Sequence, residues 1–286
     1  MTSYSPSEKA MPIRQPSTAN LMLDSFDRDA TTYITPWAFS INRANSILNG
    51  FFTRIGTTEV VLEWNIPNIL TGFNDSLDIS ANSTTYTVPF TPGFYTVAEI
   101  LDNTVDALNI LSSSTDWSVK TVGGITGIDL SGGTFQVLPG NLQQQLGLTL
   151  SVSGFKPINR PDLRPWRYLD FISSQLTYNQ DLKDASTCPI VRDVLCRWYM
   201  DWDTPPPLDT YGYPILMGYT AFSARRLFNP PKQIRWDHTQ PIGQIAFEVF
   251  GQSEFYPTGI PLASIYPTAL GNTHTNWLMT LQVSEV

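Results

Sequence analysis

The chain has 286 residues, enough for one large domain that buries its own core without disulfide or metal staples. Only 15% of residues are charged while 42% are hydrophobic and 12% aromatic, which excludes a disordered acidic chain and points to a surface that meets other protein. With 17 basic against 25 acidic side chains and a net charge of −8, the chain is poorly made for gripping phosphates, and nucleic-acid binding is not expected.

Residues 1–35 are polar, near neutral and punctuated by Pro6, Pro12 and Pro16, and they read as an extended N-terminal arm. Such an arm is either disordered or lies along a neighbouring subunit, and its deletion is expected to leave the isolated fold intact while impairing incorporation into particles. Residues 1–20 hold no apolar signal core, and no run reaches the roughly 18 apolar residues of a membrane span. From Trp37 the pattern changes to strands. Trp37 to Asn42 alternates apolar and polar, Ser46 to Phe52 reads as a second strand with a bulge, and Glu59 to Ile66 is a strand ended by Pro67.

Residues 74–150 read as a separate α+β insertion domain. Thr85 to Phe90 alternates as a strand, and Thr91-Pro92-Gly93 turns the chain. Thr96 with Glu99 three residues on forms a capping-box signature, and Val97, Ile100, Leu101, Val105, Leu108 and Leu111 recur at helical spacing. Strands are expected over Trp117 to Val122 and Thr134 to Leu138, with turns at Gly123-Gly124 and Gly132-Gly133, then a short helix from Asn141 stopped by Gly147. After a Pro/Arg-rich connector, strands are expected over Tyr168 to Leu176, Asp193 to Asp201, Ile215 to Phe222, Gln244 to Phe250 and Trp277 to Val283. Short, separated strands with a single convincing helix indicate a mainly β protein. The reading is a single jelly-roll β-sandwich over 36–73 and 151–286, interrupted by the insert.

Nothing in the chain carries a catalytic or metal-binding pattern. Cys188 and Cys196 match no zinc spacing, and His238 and His274 leave little for a histidine site. Asp24, Asp27 and Asp29 lack the alternation of a calcium loop, and Asp201 and Asp203 read as a charged strand end. Asp237 beside His238 points to the opposite side of an extended chain, and no Gly-x-Ser-x-Gly elbow supplies a nucleophile. Glycines 123, 124, 127, 132 and 133 precede no helix and read as hairpin turns. No enzyme activity and no cofactor are expected.

Two basic clusters stand out: Lys156, Arg160, Arg164 and Arg167, and then Arg225, Arg226, Lys232 and Arg235. The second is interleaved with Phe222, Phe228 and Trp236. Stacking on a single-stranded nucleic acid is one reading. Arg with aromatics is also what protein interfaces prefer, and the acidic whole favours that reading. The interface residues expected are Arg225, Arg226, Phe228, Lys232, Arg235 and Trp236. A rival reading places Trp198, Tyr199, Trp202, Tyr211 and Tyr213 together on an exposed glycan-binding face.

Three stretches carry a family resemblance: Asn45 to Trp64, Tyr86 to Ile100 with its Thr91-Pro92-Gly93-Phe94-Tyr95-Thr96 turn, and Arg226 to Trp236 followed by Pro241 to Val249. Together the chain resembles penton and minor capsid proteins of icosahedral double-stranded DNA viruses of the virophage, polinton-like and large algal virus lineage. The resemblance implies a single jelly-roll structural protein of the virion, assembling as a homopentamer at capsid vertices beside the major capsid protein. It further implies an insert that projects outward toward a host receptor or fibre. A minor or cement protein between major capsomers, or a receptor-binding β-sandwich, are the alternatives.

Overall fold

The computed structural model describes residues 18–29, 31–42, 52–113, 116–177, 194–235, 243–266 and 275–285. The chain enters through β1 (Thr18–Asp24), a short 3-10 turn, β2 (Ala38–Asn42) and the long β3 (Arg54–Trp64). It then builds the insert from β4 (Ser76–Ala81), β5 (Thr84–Pro89), α1 (Val97–Leu111), β6 (Trp117–Val122), β7 (Ile125–Leu130), β8 (Phe135–Val137), α2 (Asn141–Gln145) and β9 (Phe155–Pro157). It returns through β10 (Tyr168–Ile172), β11 (Val194–Tyr199), β12 (Phe222–Leu227), β13 (Ile234–Arg235), β14 (Gln244–Gln252), β15 (Ile260–Pro261), α3 (Leu262–Ile265) and β16 (Asn276–Ser284).

One sandwich sheet has the order β1-β16-β3-β12, with β13 also on β3; the other runs β11-β10-β14, with β2 and β15 along the far edge of β14. The long antiparallel pairings are nested: β1 with β16, β2 with β14, β3 with β12, and β10 with β11. That is a hairpin rolled up on itself, the jelly-roll connection. Between the sheets lies a core in which Trp277, Phe39, Phe171 and Phe247 meet, the ring centres of the three phenylalanines lying 5.2–5.5 Å from that of Trp277.

The inward phase of β3 changes along its length. Ile55 and Thr57 face in, and so do Val60, Leu62 and Trp64, a break in the two-residue period. A register shift against Thr280/Leu281 of β16 absorbs the extra residue, as a β-bulge does. The Thr58 carbonyl, turned aside at that point, accepts from Phe228 N at 2.9 Å.

The insert sits between β3 and β10 and has its own core. Helix α1 buries Val97, Ile100, Leu101, Thr104, Val105 and Leu108, one face of the period expected from sequence. Its capping box is complete: Glu99 N donates to Thr96 Oγ1 at 3.3 Å and Thr96 N donates to Glu99 Oε2 at 2.8 Å. The helix packs over two small sheets, β5-β4-β8 and β6-β7-β9, joined where Trp117 meets Phe135 edge-on at 5.0 Å.

Several sequence expectations change here. The insert core runs from Ile69 to Leu163 and takes in Tyr219, wider than 74–150. Residues 18–24 are not arm but a strand of the sandwich, paired in seven positions with β16, because Leu21 and Leu23 alternate toward the core. Ile215 to Tyr219 form no strand. They are divided between two cores, Met217 in the sandwich and Tyr219 in the insert, and β12 begins only at Phe222. The strand expected over Ser46 to Phe52 lies almost wholly outside the described residues, as do Cys188, His238 and His274.

Gly147 ends α2 with φ +65°, and a Cβ there would lie 1.8 Å from the Asn159 carbonyl oxygen. Gly147→Ala is therefore expected to cost about 2–3 kcal/mol or more, the sum of left-handed strain and a backbone clash. A thermal melt of the variant checks this; an unchanged melt contradicts it.

Candidate assembly interface

The sandwich has two different sides. On one, β1 and β2 end their sheets and border a shared recess lined by Leu21 to Leu23 and Ser40 to Asn42. On the other, β11 and β12 end their sheets. The basic cluster expected to form an interface lies on this second side, and the structure divides it by function. Arg226 leans inward: its Nη2 donates to the Asp201 carbonyl at 2.6 Å, and its guanidinium lies 5.2 Å from the Trp198 ring centre. Lys232 Nζ donates to the Val194 carbonyl at 3.1 Å. Both cations thus staple one sheet to the other. Phe228 is half-buried against the core. Arg225 points outward from β12 and pairs with Glu59 of β3 on the same face. Arg235 is exposed at the end of β13, and Trp236 lies outside the described residues.

The outer face of the β1-β16-β3-β12 sheet carries a signal that sequence reasoning missed. Cross-strand partners share a face, so Met22, Thr280, Glu59 and Leu227 form one row, and Asp24, Leu278, Val61 and Arg225 the next. Met22 is 77% exposed and Leu227 63%. These apolar side chains bracket the sheet, Met22 on one edge strand and Leu227 on the other. The alternation of β12 places Leu227 beside Arg225 on the solvent side, so a strand pattern with a known inward phase reveals it.

The remaining polar candidates have structural partners. Asp29 accepts from Thr31 N at 3.0 Å, Thr31 Oγ1 at 2.6 Å and Thr32 Oγ1 at 2.7 Å, which holds its carboxyl down to about 2. The turn it caps keeps this contribution above the ordinary carboxylate range and loses it as pH falls toward 2. Asp201 pairs with Arg164 at 2.5 Å and Asp203 lies 3.4 Å from Arg226. The first basic cluster is also engaged: Arg164 is bound by Asp162 at 2.9 Å, Arg167 meets Glu254 at 3.1 Å, and Lys156 is fully buried. Burial pushes the Cys196 thiol well up, away from nucleophilic use. Among the described residues no group of three or more His, Cys, Asp and Glu is placed to hold a metal, and no helix is long and apolar enough to cross a membrane.

The five aromatics of the glycan-face reading do not share a surface. Trp198 is fully buried in the sandwich core, while Tyr199 is 49% exposed. Trp202 Nε1 donates to the Ile215 carbonyl at 3.1 Å. Tyr211 Oη donates to Asp102 at 2.6 Å and Tyr213 Oη to the Thr126 carbonyl at 2.8 Å, strapping residues 208–219 onto the insert.

No family model matches the chain, and no curated protein matches it. Among solved structures it is similar to the crystal structure of the mavirus penton protein, with a TM-score of 0.51 and 11% identity over 96% of this chain and 100% of that one. The chain has the fold of the mavirus penton protein. A chain in the cryo-EM structure of the Sputnik virophage aligns with a TM-score of 0.48 and 10% identity, covering 94% of this chain and 98% of that one. The mavirus alignment spans sandwich and insert together, so the likeness belongs to the whole architecture and not to a generic jelly roll alone.

Proposed function

We propose that the chain is a structural virion protein of the penton type, a jelly roll that assembles into homopentamers at the five-fold vertices of an icosahedral capsid. The observation that carries this reading is the fold likeness to the mavirus penton protein across both parts of the chain. The surface supports it. Closing a ring requires a heterologous contact between two different faces. Here one side offers the β1 edge with Met22 and Asp24, and the other offers the β12 edge with Arg225, Leu227 and Arg235. In the ring, the β12 side of one protomer lies against the β1 side of the next, apolar on apolar and basic on acidic. The insert then projects from the ring toward a receptor or fibre, and the sandwich meets the major capsid protein around it. The role is structural, with no reaction for the chain to catalyse.

Quantitative mass spectrometry of purified particles tests the position: about 60 copies are expected, one ring for each vertex. A far larger number indicates a minor protein between major capsomers, and absence from particles contradicts the reading. Leu227→Asp is expected to cost the monomer only about 1 kcal/mol, since the side chain is 63% exposed although the new carboxylate faces Glu59 across the strands, yet to prevent ring formation. Size-exclusion chromatography and a thermal melt separate the two effects. Unchanged assembly would remove the β12 side from the contact.

A further inference from the structure

A cavity of about 430 Å³ lies at the seam between insert and sandwich. Its aromatic wall is Trp166, Tyr256 and Tyr266 from the sandwich and Phe73 from the insert. Trp166 lies 5.7 Å from Tyr256 and 6.4 Å from Tyr266, and Phe73 stacks on Tyr256 at 6.4 Å. Among the described residues no Asp, Glu, Lys, Arg or His lines it. That size and lining are those of a small-molecule pocket and not of a packing fault.

The polar groups of the lining are poised in one sense. Asn74 Oδ1 accepts from Leu70 N at 2.8 Å, which fixes its amide orientation. Asn74 Nδ2 therefore donates to the Asn68 carbonyl at 2.9 Å and to Gln145 Oε1 at 2.7 Å. Gln145 must then present its Nε2 as the free end. Gln145 lines the cavity, and its Nε2, which makes no hydrogen bond among the described residues, is not sealed from solvent. Tyr266, 4% exposed, accepts from Trp166 Nε1 at 3.3 Å and keeps its own hydroxyl proton unspent. Burial pushes this phenol well up, so it stays a donor. A ligand carbonyl that enters the cavity can accept from the Gln145 amide in place of water.

We propose that the cavity binds a neutral, largely apolar small molecule whose carbonyl oxygen accepts from the Gln145 amide. A wall without charge among the described residues disfavours an ionic ligand, and the aromatic faces suit a flat one. Because the pocket joins insert to sandwich, its occupant stiffens the joint between them. The site is complete within one chain, so it stands or falls independently of the pentamer.

Ligand-observed NMR on the full chain tests it with two probes of matched shape, acetophenone and α-methylstyrene. They differ in C=O against C=CH₂. Acetophenone is expected to bind at least about five-fold more tightly, the worth of one buried hydrogen bond of ~1 kcal/mol. Gln145→Met is expected to abolish that preference. Ile265→Trp, which fills the cavity, is expected to abolish binding of both, with a thermal melt confirming that each variant is folded. Equal affinities in the unmodified chain, no binding of either probe, or undiminished binding to a folded Ile265→Trp variant would overturn the proposal. Should a variant fail to fold, the comparison of the two probes in the unmodified chain decides alone.

Discussion

Replacing Trp277 by alanine is expected to destabilise the sandwich by about 3–5 kcal/mol, the range for losing a fully buried aromatic from a close-packed core. Trp277 is 0% exposed and belongs to β16, in one sheet, while its ring neighbours Phe39, Phe171 and Phe247 belong to the other. Its indole Nε1 donates to the Pro36 carbonyl at 2.9 Å, and its backbone N donates to Ser25 Oγ at 2.9 Å. The side chain thus joins the two sheets and the β1–β2 connection at one point. Alanine leaves a cavity where four aromatic rings met and strands the Pro36 carbonyl. Trp277→Phe keeps most of the packing and loses the indole bond, so it is expected to cost about 1–2 kcal/mol. Denaturant unfolding of the pair checks both the size and the order; equal losses would show that packing at this point carries none of the effect.

Deleting residues 1–24 is expected to lower the melting temperature by about 10 °C, reading each kcal/mol as roughly 2–4 °C in a large domain. The deletion strips β1 from β16 along its whole paired length and uncovers Leu281 and Met279, both buried beneath it. The inward Leu23 is lost with it, worth about 1.5–3 kcal/mol by itself. Deleting only residues 1–17 is expected to leave the melt unchanged. An equal melt for both truncations would show that β1 contributes nothing and would restore the arm reading for the entire segment.

That second experiment turns on an element the sequence hides. Strand β1 has only Leu21 and Leu23 facing the core, and its exposed positions, Asn20 and Met22, follow a Pro-rich polar stretch. A terminal strand covered on one face gives too short an alternation to separate from a linker. Helix α1 was legible because two independent signals coincide there, the Thr96/Glu99 box and the apolar period. The Ile215 to Tyr219 run misleads for the opposite reason: its apolar residues are real core residues, but of two cores. Periodicity reports that a residue is buried, not against what.

The proposed interface was half legible. Charge and aromatic clustering mark Arg225 to Arg235, yet Arg226 and Lys232 are spent on holding the sheets together, and the apolar Leu227 between them faces solvent. Composition locates the edge; only the register of β12 against β3 decides which side chains leave it. The seam cavity was not legible at all, because Phe73, Gln145, Trp166 and Tyr266 come from four separate segments.

Native mass spectrometry of the purified chain tests pentamer formation without other virion components. A discrete species at about 160 kDa, five copies of the 32.0 kDa chain, is expected, and Leu227→Asp is expected to reduce it to monomer. A chain that stays monomeric at every concentration, or that forms only a symmetric dimer, would contradict this expectation.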